Sequence, residues 1–111
     1  MRKLLIAAAL LLPPLIPFAA GSEAEAAKPR MHTVVMGNMK FGPVPAGIKA
    51  GDVIVWVNRD MVPHTATARN GSFDVNPAAR QSRRMTVTRA GTFAFYCRFH
   101  PGMQGTLTTA R

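Results

Sequence analysis

The sequence has 111 residues, enough for one small domain, and its formal net charge is +9 at pH 7. This charge favours acidic partners or surfaces, but no nucleic-acid-binding module is recognisable and the basic side chains are scattered. A solvated surface that keeps the protein soluble explains the charge equally well. The single cysteine, Cys97, excludes an internal disulfide and leaves a metal or an intermolecular bridge as alternatives.

Residues 1–26 have the pattern of a secretory signal peptide. A basic start is followed by an apolar run over residues 4–18 and by a small-x-small cleavage motif at residues 24–26. Two prolines interrupt the apolar run, which is also short for a membrane span of about 20 residues. We therefore predict export to the periplasm with cleavage near Ala26 or Ala27; an uncleaved membrane anchor is the alternative.

The predicted mature domain, residues 27–111, keeps the net charge of +9, because the segment before it holds two basic and two acidic residues. Its sequence shows no apolar period of 3.6 residues, and it is punctuated by glycine and proline throughout. About seven to eight short strands are predicted, as in a sandwich or barrel. They cover residues 33–36, 39–41, 53–58, 64–68, 83–88, 92–97 and 105–109, with a short edge strand near Phe73.

Two of these strands carry particular expectations. Residues 53–58 are apolar on both faces and rich in β-branched side chains, which is typical of a central strand. In residues 64–68 the period of two places His64, Ala66 and Ala68 on one face and the threonines on the other. The mature chain is therefore predicted to be an all-β domain.

The motif with the clearest chemistry is Cys97-x-x-His100-x-x-Met103 near the C-terminus. It supplies a thiolate, an imidazole and a thioether, and with a second imidazole these form a blue-copper electron-transfer site. His64, directly after Pro63, is the best candidate for that second imidazole. Each residue alone has an ordinary explanation in the core or on the surface, but their combination in one exported β-domain predicts a metal site.

Copper is favoured over zinc at this site. Zinc also binds cysteine and histidine, but a structural zinc site needs a fourth strong ligand, and methionine is a poor one. Cys97 is predicted to share a strand face with Phe93 and Phe95, which places its sulfur in an apolar layer. Pro63 and Pro101 stiffen the backbone beside the two histidines.

Two further residues near these motifs carry weaker expectations. The third histidine, His32, lies outside any ligand spacing and is predicted to be a solvated residue at a strand end. Met61, on the loop before His64, is predicted to help surround the site.

The sequence resembles the cupredoxins, the type 1 blue copper proteins, in four stretches: residues 51–58, Pro63-His64, residues 91–93 and residues 96–105. Within that family the amicyanins share the Cys-x-x-His-x-x-Met spacing, whereas plastocyanins and pseudoazurins carry two more residues before the methionine. The resemblance implies a Greek-key β-sandwich with one copper ion. It also implies the ligand set, which consists of His64, Cys97 and His100 as strong ligands and Met103 as the axial one.

The resemblance further implies that the ring edge of His100 is the electron port, within an apolar patch. That patch is expected to consist of Val62, Pro63, Phe99, Pro101 and Met103, with Arg98 beside it.

Thr65 departs from the family pattern, which has asparagine at this position with hydrogen bonds that brace the site. Its hydroxyl is expected to replace part of that network. Pro63, Thr65 and Pro101 are thus the predicted supporting residues around the ligands, and the departure leaves the reduction potential open.

The function implied is that of a periplasmic electron carrier rather than an enzyme, because four protein donors leave no open position for a substrate. Copper trafficking or storage in the periplasm is the alternative. The expected partners are a dehydrogenase, cytochrome or oxidase. The basic side chains of Arg80, Arg83, Arg84 and Arg98 suggest that the partner has an acidic surface. A monomer without a membrane span after cleavage is expected.

Overall fold

The computed structural model describes residues 3, 9–15 and 28–111. Residues 9–15 are exposed and have no regular secondary structure. The predicted signal peptide lies largely outside the described residues, and its cleavage motif at residues 24–26 lies wholly outside them. Within the described part of the chain, no helix is long and apolar enough to cross a membrane.

Residues 31–110 form nine strands, and the described residues contain no helix. The strands are β1 (Met31–Gly37), β2 (Lys40–Phe41), β3 (Ile48–Lys49), β4 (Val53–Asn58), β5 (Ala66–Ala68), β6 (Asp74–Val75), β7 (Ser82–Thr86), β8 (Gly91–Tyr96) and β9 (Gln104–Ala110). The predicted all-β class is confirmed. The count exceeds the prediction because two-residue strands such as β3 exist only through pairing with a distant partner and leave no periodic signal.

The strands form two sheets packed face to face. One has the order β2-β1-β4-β7 and the other the order β3-β9-β8-β5-β6. The chain passes back and forth between the sheets, as expected for the predicted Greek-key sandwich. Strand β4 lies between β1, to which it is parallel, and β7, to which it is antiparallel, so the prediction of a central strand is confirmed.

The core between the sheets is built around aromatic rings. Trp56 of β4 meets Phe95 of β8 edge to face, with ring centroids 5.3 Å apart, and Phe41 lies 4.7 Å from Phe95 on another side. Edge-to-face pairs of this kind stabilise beyond their buried area. The core therefore ties β4 to β8, the two strands whose ends lead into the predicted ligand loops.

The alternation predicted for β8 is confirmed, whereas that predicted for residues 64–68 is wrong at its start. Phe95 and Cys97 are fully buried, with Phe93 half-buried on the same side. Strand β5 begins at Ala66, and both His64 and Thr65 are fully buried ahead of it. The reason lies in their hydrogen bonds: His64 N–H donates to the Pro77 carbonyl and Thr65 N–H to the Cys97 sulfur, outside any strand ladder.

The prediction of a solvated His32 is also wrong. Parallel pairing of β1 with β4 sets His32 opposite Ile54, close to the turn that holds Asp52. Nε2 of His32 lies 2.8 Å from a carboxylate oxygen of Asp52, and the histidine side chain is only 10% exposed. The same carboxylate accepts the backbone N–H groups of Arg30 and Lys49, so it joins the entry into β1 to the turn before β4.

Candidate metal centre

Two connections meet at one end of the sandwich and carry all four predicted ligands. Residues 59–65 lead from β4 to β5, and residues 97–103 lead from β8 to β9. Strand β5 pairs with β8, with Thr67 opposite Tyr96, so the residues just before β5 lie beside those just after β8. This pairing brings together two segments that are about 30 residues apart in the chain.

His64 and Cys97 face each other across this junction. The Nδ1 atom of His64 lies 3.8 Å from the Cys97 Sγ, and both residues are fully buried. An ion about 2.3 Å from a cysteine sulfur and about 2.0 Å from a histidine nitrogen, the bond lengths of zinc sites, holds the two donors about 3.5 to 3.9 Å apart. The observed separation therefore suits two ligands of one ion.

The other ring nitrogen of His64 is occupied by Asp60. Nε2 lies 2.7 Å from a carboxylate oxygen of Asp60, and a carboxylate only accepts hydrogen bonds. In the neutral ring the hydrogen is therefore on Nε2, and the lone pair of Nδ1 faces Cys97. A carboxylate in this position orients a metal-binding histidine and raises its basicity.

Asp60 is itself held firmly in place. Its carboxylate accepts the backbone N–H groups of Asn38 and Met39, the two turn residues between β1 and β2, whose φ angles are 52° and 60°. The His64 hydrogen bond is the largest of the effects that lower the pKa of the Asp60 carboxyl, so this group is charged at neutral pH. Asp60 was not among the site residues predicted from the sequence, in which its spacing of four residues before His64 was the only available signal.

Thr65 makes two contacts to the cysteine segment. Its backbone N–H donates to the Cys97 sulfur at 3.3 Å, and its hydroxyl oxygen accepts the backbone N–H of Arg98 at 2.9 Å. The first bond stabilises negative charge on sulfur, and the second fixes the peptide that follows the cysteine. The Thr65 hydroxyl is thus hydrogen-bonded beside the cysteine, and its role in bracing a metal site stays a prediction.

The ligand loop is closed by three backbone hydrogen bonds. His100 N–H donates to the Cys97 carbonyl, Met103 N–H donates to the His100 carbonyl, and Cys97 N–H donates to the Met103 carbonyl, over 3.2, 2.8 and 3.0 Å. Two tight turns in succession therefore return the chain to its start. They leave Met103 only 4% exposed, at the inner side of the loop.

His100 is half-buried, and its ring meets that of His64 at a centroid distance of 5.2 Å and an interplanar angle of 75°. Within residues 3, 9–15 and 28–111, no group of three or more His, Cys, Asp or Glu side chains is gathered closely enough to hold an ion. The structure thus places His64 and Cys97 in direct contact and His100 beside His64. Closure of all four predicted ligands on one ion stays a prediction.

Apolar side chains surround this end of the sandwich at the surface. Val62 is 39% exposed and Phe99 53% exposed, and Pro63 and Pro101 are exposed as well. These four residues, called the apolar rim below, are the exposed members of the predicted patch, whose role in docking stays a prediction. Met103 does not belong to it, because the turns of the loop direct this residue inward.

Two residues beside the apolar rim are also exposed. Met61 is 75% exposed and its sulfur accepts a hydrogen bond from Arg80, so the prediction that it helps enclose the site is wrong. Arg98 is exposed as expected, and it pairs with Asp74. The supporting proline Pro101 contributes its carbonyl, which accepts a hydrogen bond from the Gln104 side chain.

Comparison with known proteins agrees with this arrangement. A family model described as a cupredoxin-like domain matches residues 6–109. Amicyanin of Paracoccus denitrificans is 32% identical over 95 residues, which cover 80% of this chain and 70% of that protein. Plastocyanin of Nostoc punctiforme is 35% identical over 91 residues, covering 65% of this chain and 66% of that protein.

Solved structures show the same relationship. The crystal structure of amicyanin from Paracoccus versutus aligns with a TM-score of 0.61 at 26% identity, covering 78% of this chain and 87% of that one. A Cu(I) form of an amicyanin variant aligns with a TM-score of 0.62 at 26% identity, covering 71% and 81%. The matching fold, the family model and the relatives lead to one conclusion: this chain belongs to the cupredoxin family.

Proposed function

We propose that this protein is a one-electron carrier with a single type 1 copper ion, bound by His64, Cys97 and His100 and, more weakly, by Met103. The observation that carries the proposal is the 3.8 Å approach of the His64 Nδ1 to the Cys97 sulfur in a fully buried setting. Membership of the cupredoxin family supports it, since relatives are named amicyanin and plastocyanin and a solved amicyanin variant holds Cu(I).

Bound copper would supply a reversible Cu(I)/Cu(II) couple. The contribution of this chain is to hold the donors still. Asp60 fixes the His64 ring, Thr65 donates to the Cys97 sulfur, and the turns of the loop fix the backbone of residues 97–103. Donors that cannot rearrange lower the reorganisation needed at each electron transfer.

His100 is the proposed route by which the electron leaves. It is the one half-buried ring among the proposed ligands, and its chain neighbours Phe99 and Pro101 are exposed members of the apolar rim. A small apolar contact flanked by charge suits a short-lived redox encounter, in which fast release matters as much as affinity. Arg98 at the edge of the rim favours a redox protein with an acidic docking surface.

The proposal includes export to the periplasm, removal of residues 1–26 and action as a monomer. The signal-peptide pattern of the sequence supports export. The burial of the proposed ligands supports electron transfer over the alternative, copper trafficking, because trafficking requires donors that a second protein can reach. Cys97, His64 and Met103 are at most 4% exposed.

The decisive experiment is a visible spectrum of the purified protein after addition of Cu(II). We expect an intense absorption band from charge transfer between the thiolate and copper, bleached by ascorbate and restored by ferricyanide. Cys97→Ser should abolish the band. His32→Asn, the matched control at a histidine outside the site, should leave it intact. A colourless wild-type complex would exclude the proposal.

Competition with a copper chelator separates electron transfer from trafficking. A carrier that retains its metal should lose it slowly in both oxidation states. Rapid loss to the chelator from both states would favour trafficking.

A further inference from the structure

A closed ring of hydrogen bonds runs from the cysteine segment to the protein surface and back. The Thr67 hydroxyl lies 2.7 Å from a carboxylate oxygen of Asp74 and 2.9 Å from the Thr65 hydroxyl. The Arg98 guanidinium contacts the Asp74 carboxylate at 3.4 Å, and the backbone N–H of Arg98 donates to Thr65. Arg98 therefore closes the ring, because its guanidinium contacts Asp74 and its backbone N–H contacts Thr65.

The direction of each hydrogen bond in the ring follows from simple counting. The Asp74 carboxylate only accepts, so the single hydroxyl hydrogen of Thr67 goes to Asp74. The bond between the two threonines must then be donated by Thr65. The Thr65 oxygen is left as the acceptor for the Arg98 N–H. Hydrogen bonds aligned head to tail in this way polarise and strengthen one another.

The ring acts on Thr65, whose backbone N–H donates to the Cys97 sulfur. Thr65 is fully buried, whereas the side chains of Arg98 and Asp74 are 41% and 47% exposed. The Thr67 hydroxyl is also the largest of the effects that lower the pKa of the Asp74 carboxyl, so the acceptor at the surface is charged at neutral pH.

We infer that Thr67 and Asp74 are positioning residues that hold Thr65 on the cysteine sulfur and thereby tune the reduction potential of the copper centre. The inference rests on the proposed function. A hydrogen bond to the thiolate stabilises its negative charge and favours Cu(I), which raises the potential.

The test is a double-mutant cycle read by protein voltammetry on the copper-loaded protein. Thr67→Val removes the hydroxyl without changing shape or charge, and it should lower the potential. Thr67→Ser, which restores a hydroxyl, should return it toward the wild-type value. Thr106→Val, at an exposed threonine of β9, is the matched control and should leave it unchanged.

Asp74→Asn is the second mutation of the cycle. Unlike Thr67→Val, it removes a negative charge. If the effect travels through the ring, the potential shift caused by Asp74→Asn should differ between the wild-type and Thr67→Val backgrounds. Equal shifts in both backgrounds would mean that the charge acts only through space, and would overturn the inference.

A measurement on the metal-free protein separates this inference from the proposed function. Amide hydrogen exchange at Arg98 should become about five-fold faster in Thr67→Val, the effect of losing support worth one ordinary hydrogen bond. A wild-type protein without the blue band would refute the proposed function alone. A blue protein in which Thr67→Val changes neither the exchange rate nor the potential would refute the ring alone.

Discussion

The Nε2 atom of His64 lies 2.7 Å from a carboxylate oxygen of Asp60, which leaves Nδ1 directed at the Cys97 sulfur. This pair connects the hairpin turn between β1 and β2 with the proposed metal centre, since Asp60 also accepts two N–H groups of that turn. The orientation of the buried histidine is therefore determined by a carboxylate that is not itself a proposed ligand.

Asp60→Asn should weaken copper binding by about 10- to 100-fold, the usual cost of losing a carboxylate behind a metal-binding histidine. Titration against a chelator of known copper affinity measures the change. Asp52→Asn is the matched control, because Asp52 pairs with His32 at the opposite end of β4. Equal affinities for Asp60→Asn and wild type would show that the carboxylate does not orient the ligand.

Thr65→Val should destabilise the metal-free protein by about 1–3 kcal/mol, because the two partly buried hydrogen bonds of its hydroxyl, with the Arg98 N–H and with Thr67, are lost. Urea denaturation followed by the fluorescence of Trp56 measures the free energy of unfolding. Thr33→Val, at an exposed threonine of β1, provides the control and should change stability by less than about 0.5 kcal/mol. A Thr65 variant as stable as the control would contradict the bracing role.

Gly105→Ala should destabilise the protein by about 1–3 kcal/mol through overpacking of the core. A Cβ at residue 105 would lie 2.3 Å from the ring of Phe95, whereas a Cβ at Gly102 would meet nothing within 4 Å. Gly102→Ala is therefore the control, and urea denaturation of both variants compares them. Similar stabilities would mean that the Phe95 ring moves aside at little cost.

Acid should destabilise the metal-free protein partly through Asp52. The backbone N–H of Arg30, followed by the His32 hydrogen bond, lowers the pKa of the Asp52 carboxyl from 3.8 to about 2. The ionised carboxylate favours the folded state, so this contribution is complete above about pH 4 and is lost as the pH falls to about 2.

Denaturation midpoints in urea between pH 5 and pH 2, at constant protein and salt concentration, measure that loss. Asp52→Asn should show a smaller fall in stability than the wild type over this range, because it has no carboxylate to protonate at this position. Parallel curves for the two proteins would show that Asp52 does not contribute to the acid sensitivity.

Much of the fold could be predicted from local patterns. Two patterns indicate strands directly: the β-branched run of residues 53–58 and the alternation of Phe93, Phe95 and Cys97. Turn residues mark where the strands end. Strands β3 and β6 have two residues each and exist through pairing with β9 and β5, so no window of the sequence signals their bounds.

The candidate ligands could be identified from residue type and spacing alone. The further supports Asp60, Thr67 and Asp74 could not, because they are ordinary polar residues until the fold brings them into contact. The same limit explains the error at His32, whose partner Asp52 is 20 residues away. Local hydropathy carries no information about such contacts.

By itself, the sequence determined that this is a small β-domain with a cysteine, two histidines and a methionine suited to copper, because those properties depend on residue type and local order. Only the tertiary structure decided which nitrogen of His64 faces the sulfur, and that Thr65 connects the sulfur with the surface pair Arg98–Asp74. These features depend on the pairing of β5 with β8, which joins segments that are distant in the chain.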